Sequence, residues 1–204
     1  MKKYIRMLAG LLLCSLLFSG CGSAEVPEVI DTTTIVIDKE GGITSYLVDE
    51  FHKDYYSVSE LTDMAVEDAA AYNAEHQEDE TIPLRVEEVK LLIGGDKVLV
   101  QHIYDEDETY ADYNESVFFY GTVEDAIEEG FDLSALLTSV KDGAPLTTDE
   151  LMKKPEKSYV LITDAKAVVY CPRKITHVGD GVVYLDNGSV DTTKVDGVVV
   201  VLMK

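Results

Sequence analysis

Apolar residues along this chain change their spacing several times, and the spacing is the first guide to structure. Residues 8–18 form a predominantly apolar run. Residues 32–37 and 43–48 are rich in β-branched side chains and flank Gly41-Gly42, which predicts a hairpin. From 58 to 76 the period becomes helical, with Val58, Leu61, Ala65, Ala69 and Tyr72 three or four residues apart. Ser57 and Glu60 match a capping box at its start. The spacing predicts a helix over 58–76, with Leu61 and Tyr72 on its buried face. Residues 84–93 and 97–104 flank Gly94-Gly95-Asp96, a second hairpin signal.

Beyond this point the elements shorten. Residues 109–114 read as a short helix or an ordered loop, and 116–120 as a strand. Thr122 with Asp125 marks a helix start, and Gly130 supplies a stop. Residues 133–140 are ambiguous, and one helical turn is expected after Thr148. Five β-prone runs follow, at 159–163, 167–171, 175–178, 182–185 and 198–203, separated by turn residues. The expectation is an α+β fold. N-terminal hairpins and one amphipathic helix form a mixed unit over 32–140. A linker with a helical turn covers 141–157. A small all-β meander or barrel-like module over 158–204 packs on the first unit, because so short a β unit is marginal alone.

Charge marks the same division. The 204 residues carry 39 acids and 17 bases, a net of −22. Residues 21–150 hold 33 of the acids and 6 bases, whereas 151–204 hold 6 acids and 8 bases. Nucleic-acid binding is excluded, since neutralising phosphates needs a basic footprint. A 46% hydrophobic content is enough for a packed core. Three cysteines cannot make a disulfide framework.

The N-terminus carries an address. Lys2, Lys3 and Arg6 precede the apolar run, which is too short to span a bilayer comfortably. The run ends in Leu17-Phe18-Ser19-Gly20-Cys21, which resembles the lipobox of bacterial lipoproteins. The resemblance implies a signal peptide over 1–20, cleavage after Gly20 and acylation of Cys21. Residues 21–31 would then be a tether to the extracytoplasmic face of the cell membrane. The segments TIVIDKEGGITSYLVDEF, DYYSVSEL, FFYGTVEDA and CPRKITHVGDGVVYLDNGSVD resemble small surface lipoproteins of Clostridia-type Gram-positive bacteria. That likeness implies no activity.

Candidate chemistry is sparse. Cys171 and His177 flank Pro172-Arg173-Lys174, so a hairpin could pair thiolate with imidazole as a nucleophile. Strand alternation argues instead for a buried Cys171 beside Ala167 and Val169. Asp105, Asp107 and Thr109 have the opening spacing of a calcium loop, but Tyr110 and Ser116 stand where Gly and Glu are required. A looser cation site from Asp105, Asp107, Asp112 and Glu115 competes with a solvated acidic surface. His52, His76, His102 and His177 have no metal-ligand spacing. No nucleotide-loop or nucleophile-elbow motif occurs, and Asn187-Gly188 reads as a turn. Tyr55, Tyr56, Tyr110, Tyr113, Phe118, Phe119 and Tyr120 are recognition or packing aromatics.

These readings favour a membrane-anchored binding module of the envelope over an enzyme, with no cofactor and no assigned catalytic residue. Its partners would be membrane lipid through the acylated N-terminus, and a cationic protein or divalent cation at the acidic unit. The alternatives are an envelope enzyme using Cys171 with His177 or a carboxylate cluster, and an accessory subunit of a membrane complex.

Overall fold

Short-range signals set the elements, and long-range pairing sorts them into two sheets. The computed structural model describes residues 26–77, 80–133 and 136–204. Strands β1 (Thr34–Ile37) and β2 (Ile43–Glu50) form the first hairpin, with Ile37 opposite Ile43. Asp38 closes its turn by accepting the N–H groups of Glu40 and Gly42, both at 2.9 Å. Gly41 takes φ +101°, which a side chain would resist.

Helix α1 (Val58–His76) begins where expected, and the Ser57 side chain accepts the Glu60 N–H. Its buried residues are Ala65 and Ala69, whereas Leu61 and Tyr72 are half-buried flanks. Small side chains lie where the helix approaches the sheet, so the larger ones splay to either side. Strands β3 (Leu84–Leu91) and β4 (Lys97–Tyr104) follow as an antiparallel pair, with an irregularity between Val86 and Glu88. The Asn73 side-chain amide bonds both to the Leu84 N–H, at 3.0 Å, and to its C=O, at 2.7 Å. It thereby stands in for a neighbouring strand at an exposed edge.

Helix α2 (Asp107–Tyr113), strand β5 (Phe118–Thr122) and helix α3 (Val123–Glu128) come next. A reciprocal capping box of Thr122 and Asp125 starts α3. Strand β6 (Thr138–Ser139) precedes helix α4 (Thr148–Leu151), capped reciprocally by Thr147 and Glu150. A 3-10 turn (Pro155–Lys157) leads to β7 (Tyr159–Thr163), β8 (Val168–Tyr170), β9 (Ile175–Val178), β10 (Val183–Leu185), β11 (Ser189–Asp191) and β12 (Val199–Met203).

The seven-stranded sheet has the order β10-β11-β8-β1-β2-β4-β3, and the five-stranded sheet the order β5-β7-β12-β9-β6. The mixed α+β class holds, but the strands after 158 do not form a meander or barrel of their own. Strands β8, β10 and β11 extend the first sheet, while β7, β9 and β12 build the second with β5 and β6. Short strands gain burial this way, since a unit of their size encloses too little apolar surface alone.

The main core lies between the sheets and includes Ile35, Ile43, Tyr104, Leu161, Val169 and Val201. A second core covers the outer face of the five-stranded sheet, where Phe119, Val160 and Leu202 meet Val123, Ala126 and Leu151. Burial on both faces explains the unbroken apolar run of β12, with all five residues buried. At the crossing from β8 to β9, Arg173 lies 3.6 Å from the Tyr159 ring centroid. Its Nε also donates to the Tyr120 hydroxyl at 3.0 Å. That combination of stacking and hydrogen bonding pins the crossing to the second sheet.

Ile35 is fully buried, so Ile35→Ala should lower unfolding free energy by about 2–5 kcal/mol in urea titrations. Ile93→Ala, at a position 97% exposed, should change it by no more than about 0.5 kcal/mol.

Candidate functional site

The two sheets separate the residues that would have formed a nucleophilic pair. Cys171 follows β8 and is buried in the core between the sheets. Burial pushes its thiol up to about 12, so it is no thiolate at neutral pH. His177 lies on β9 opposite Leu202, on the outer face of the second sheet. Desolvation holds His177 below the usual imidazole range, with Lys204 adding to the effect. Thiol and imidazole therefore occupy opposite faces, which agrees with the buried Cys171 that strand alternation favours over the dyad.

The proposed cation ligands also diverge. Asp105 Oδ1 accepts the Thr109 hydroxyl at 2.7 Å. Asp107 Oδ2 accepts the Tyr120 N–H of the edge strand β5 at 2.6 Å. Asp112 Oδ2 lies 3.3 Å from His76 Nε2. Glu115 adopts φ +50° just after α2. Among the described residues, no three His, Cys, Asp or Glu side chains converge on a metal position. Asp107 is better understood as an edge plug. Burial raises its carboxyl, while hydrogen bonds from backbone N–H groups lower it.

What α2 and α1 do form is an open acidic basin of about 950 Å³, lined by Asp105, Glu106, Glu108, Asp112, Tyr72 and His76 among others. Tyr72 stacks on His76 with ring centroids 4.1 Å apart. Burial and a hydrogen bond to Asp112 push the Tyr72 hydroxyl up to about 12. Carboxylates here repel one another, and Glu106 is raised first by desolvation and then by Asp105, Glu108 and Asp107. The basin attracts cations as a field, without a built coordination sphere.

A second concavity is apolar. Strands β2 and β4 pair over eight residues each, whereas β1 covers only four positions of β2. The far half of β2 therefore extends past β1, and Leu47 is left 48% exposed. The loop after β2 folds back, held by the Phe51 N–H donating to the Asp96 carbonyl at 2.6 Å. Its aromatic rings cluster, with Phe51 and Tyr56 centroids 4.9 Å apart and Tyr55 and Tyr56 5.0 Å apart. Between this loop, the first turns of α1 and the strands lies a groove of about 480 Å³. Leu47, Leu61, Met64, Val98 and Val100 line it, and Asp49, Glu50 and Glu60 sit at its rim. Tyr55 and Tyr56 were visible in the sequence as aromatics outside a periodic element. Leu47 and Met64 carried no such signal.

The chain enters the fold at the same end, where Lys97 Nζ donates to the Asp31 carbonyl at 3.2 Å. Lys97 is the register partner of Glu50. The expected signal peptide over 1–20 and the lipobox-like segment ending in Cys21 lie outside the described residues. No helix among the described residues is long and apolar enough to cross a membrane. On β4, with its ring 5.9 Å from that of Tyr113, His102 is buried with Nε2 lacking a hydrogen-bond partner, and desolvation lowers its pKa. No family model, curated protein or solved structure matches the chain.

Asp107→Ala should leave the buried Tyr120 N–H unsatisfied and destabilise the protein by about 1–3 kcal/mol in chemical denaturation. Stability should also depend on pH through His102 and His177, both held below 6.5 in the folded chain. As pH falls through 6.5 the unfolded chain takes up protons first, so stability present above that value is lost below it. The melting temperature should drop between pH 7.5 and 5.5, and His102→Phe should reduce that drop.

Proposed function

We propose that this chain is a bacterial lipoprotein, acylated at Cys21 and held on the extracytoplasmic face of the membrane, that acts as a binding module of the cell envelope. The observation that carries the reading is the position of the groove beside the chain's point of entry, marked by the Lys97–Asp31 contact. Residues 22–31 reach at most ~35 Å when fully extended. Acylation at Cys21 therefore keeps the groove near the bilayer, where a membrane-associated partner would meet it. Two or more acyl chains supply stable anchoring where one would not. The acidic basin supports the same reading, because it favours cationic partners and disfavours polyanions.

A second reading, an accessory subunit of a membrane complex, draws support from Ile93 and Tyr55. They are 97% and 76% exposed near the same end of the fold. Catalysis finds less support, since Cys171 is buried and unionised and its imidazole partner faces elsewhere.

Mass analysis of the N-terminal peptide from the membrane fraction should find residues 1–20 removed and Cys21 carrying a thioether-linked diacylglycerol. Cys21→Ala should abolish the modification and the membrane retention of the processed form. Recovery of the parent protein with an unmodified Cys21 would overturn the anchoring.

A further inference from the structure

We infer that the groove between α1 and the β2–β4 strands is a docking site for a short cationic amphipathic helix of a partner protein; this rests on the binding-module reading and names the partner's chemistry. The floor is apolar and partly open to solvent, with Leu47 48% and Met64 59% exposed and Val98 and Val100 beneath. The rim is anionic, with Asp49, Glu50 and Glu60 around the opening. Among the described residues neither Asp49 nor Glu60 is paired with a Lys or Arg. Glu50 has His52 Nδ1 3.3 Å away and Lys97 as its register partner. An apolar floor edged by the carboxylates of Asp49 and Glu60 is complementary to a segment with aliphatic side chains on one face and Lys or Arg beside them.

Size points to a helix of a few turns. From its N-cap Ser57 to Met64, the start of α1 lines the groove over about 10 Å at helical rise. That length admits two turns of a docked helix, enough for apolar anchors at i, i+3 or i+4, and i+7. Tyr55 and Tyr56 at the mouth offer rigid contact area together with hydroxyls, as recognition aromatics do.

Charge also chooses among occupants. A second copy would bring the same carboxylates against themselves, and like-charge contact opposes association. An anionic lipid surface meets the same repulsion. A cationic helix is attracted by the rim and by the field of the whole acidic segment.

The test uses the acylated protein in zwitterionic lipid nanodiscs and a fluorescent amphipathic peptide of Leu and Lys. The peptide has about 14 residues, so that it can form a helix. Fluorescence anisotropy should show saturable binding, weakened about tenfold or more by Met64→Lys and by Glu60→Lys. Glu108→Gln, in the acidic basin, should bind as the parent does, and a Leu/Glu peptide should not bind. Equal binding of parent and groove variants, or of both peptides, overturns the proposal, as does no binding at all. Quenching of a fluorophore at Met64→Cys by quencher-bearing lipid would also overturn it, by placing the bilayer in the groove. So would nanodiscs holding two copies crosslinked groove to groove. A photo-crosslinking residue at Tyr55 in intact cells separates the two levels of inference. A captured partner alongside a silent peptide assay overturns only the helix proposal. Repeated absence of both overturns the binding module as well.

Discussion

Strand β8 lies parallel to β1, and the rest of the architecture depends on that pairing. Thr34, Ile35 and Val36 face Val168, Val169 and Tyr170 across more than 130 residues of chain. Without it the first sheet divides into β10-β11-β8 and β1-β2-β4-β3, and Ile35 loses its cover on one side. The register is extended by the Val168 N–H donating to the Thr33 carbonyl at 3.0 Å. Thr192 secures the approach to β8, with its hydroxyl 2.6 Å from the Ala165 carbonyl and 3.2 Å from the Ala167 N–H. Because β7 and β9 belong to the other sheet, the chain crosses between sheets immediately before and after β8. The two sheets are thus joined by chain connectivity as well as by their shared core.

The sequence makes local chemistry legible and leaves partnership hidden. Ser57 and Thr122 cap helices where the sequence marked their starts, because a hydroxyl that accepts an N–H acts over three residues, while the turn expected after Thr148 starts one residue earlier, on Thr147. Gly94 and Gly95 close the second hairpin at positive φ. The alternation that places Cys171 with Val169 foretells its burial. Strand β11 went unread because three residues after a turn carry too little period to register. Which sheet receives β8 or β9 depends on contacts far along the chain, and no spacing rule reaches that distance. The groove is hidden for the same reason, since the strands, the loop and the helix that enclose it come from separate stretches of the chain.

The acidity has two uses. Several carboxylates terminate backbone structure. Asp38 serves a turn, Asp107 and Asp164 accept N–H groups at or beside β5, and Asp125 and Glu150 complete capping boxes. These are tied into the fold, and each keeps its negative charge while doing so. Asp49, Glu50 and Glu60 edge an apolar floor, although Asp49 also accepts the Glu50 N–H at 2.7 Å and Glu50 lies 3.3 Å from His52. What separates the groups is position, since only the second set lies beside an exposed apolar floor.

The first strand begins only a few residues after Asp31 and lies between β2 and β8, inside the sheet. A pull on the N-terminus along that strand would load two hydrogen-bond ladders at once, in shear. Peeling is resisted on both sides, because a neighbour flanks β1 at each edge. Tension applied to the chain ahead of β1 would thus be borne by the middle of the protein. The groove, beside the point where that load enters, would be the first region to feel it.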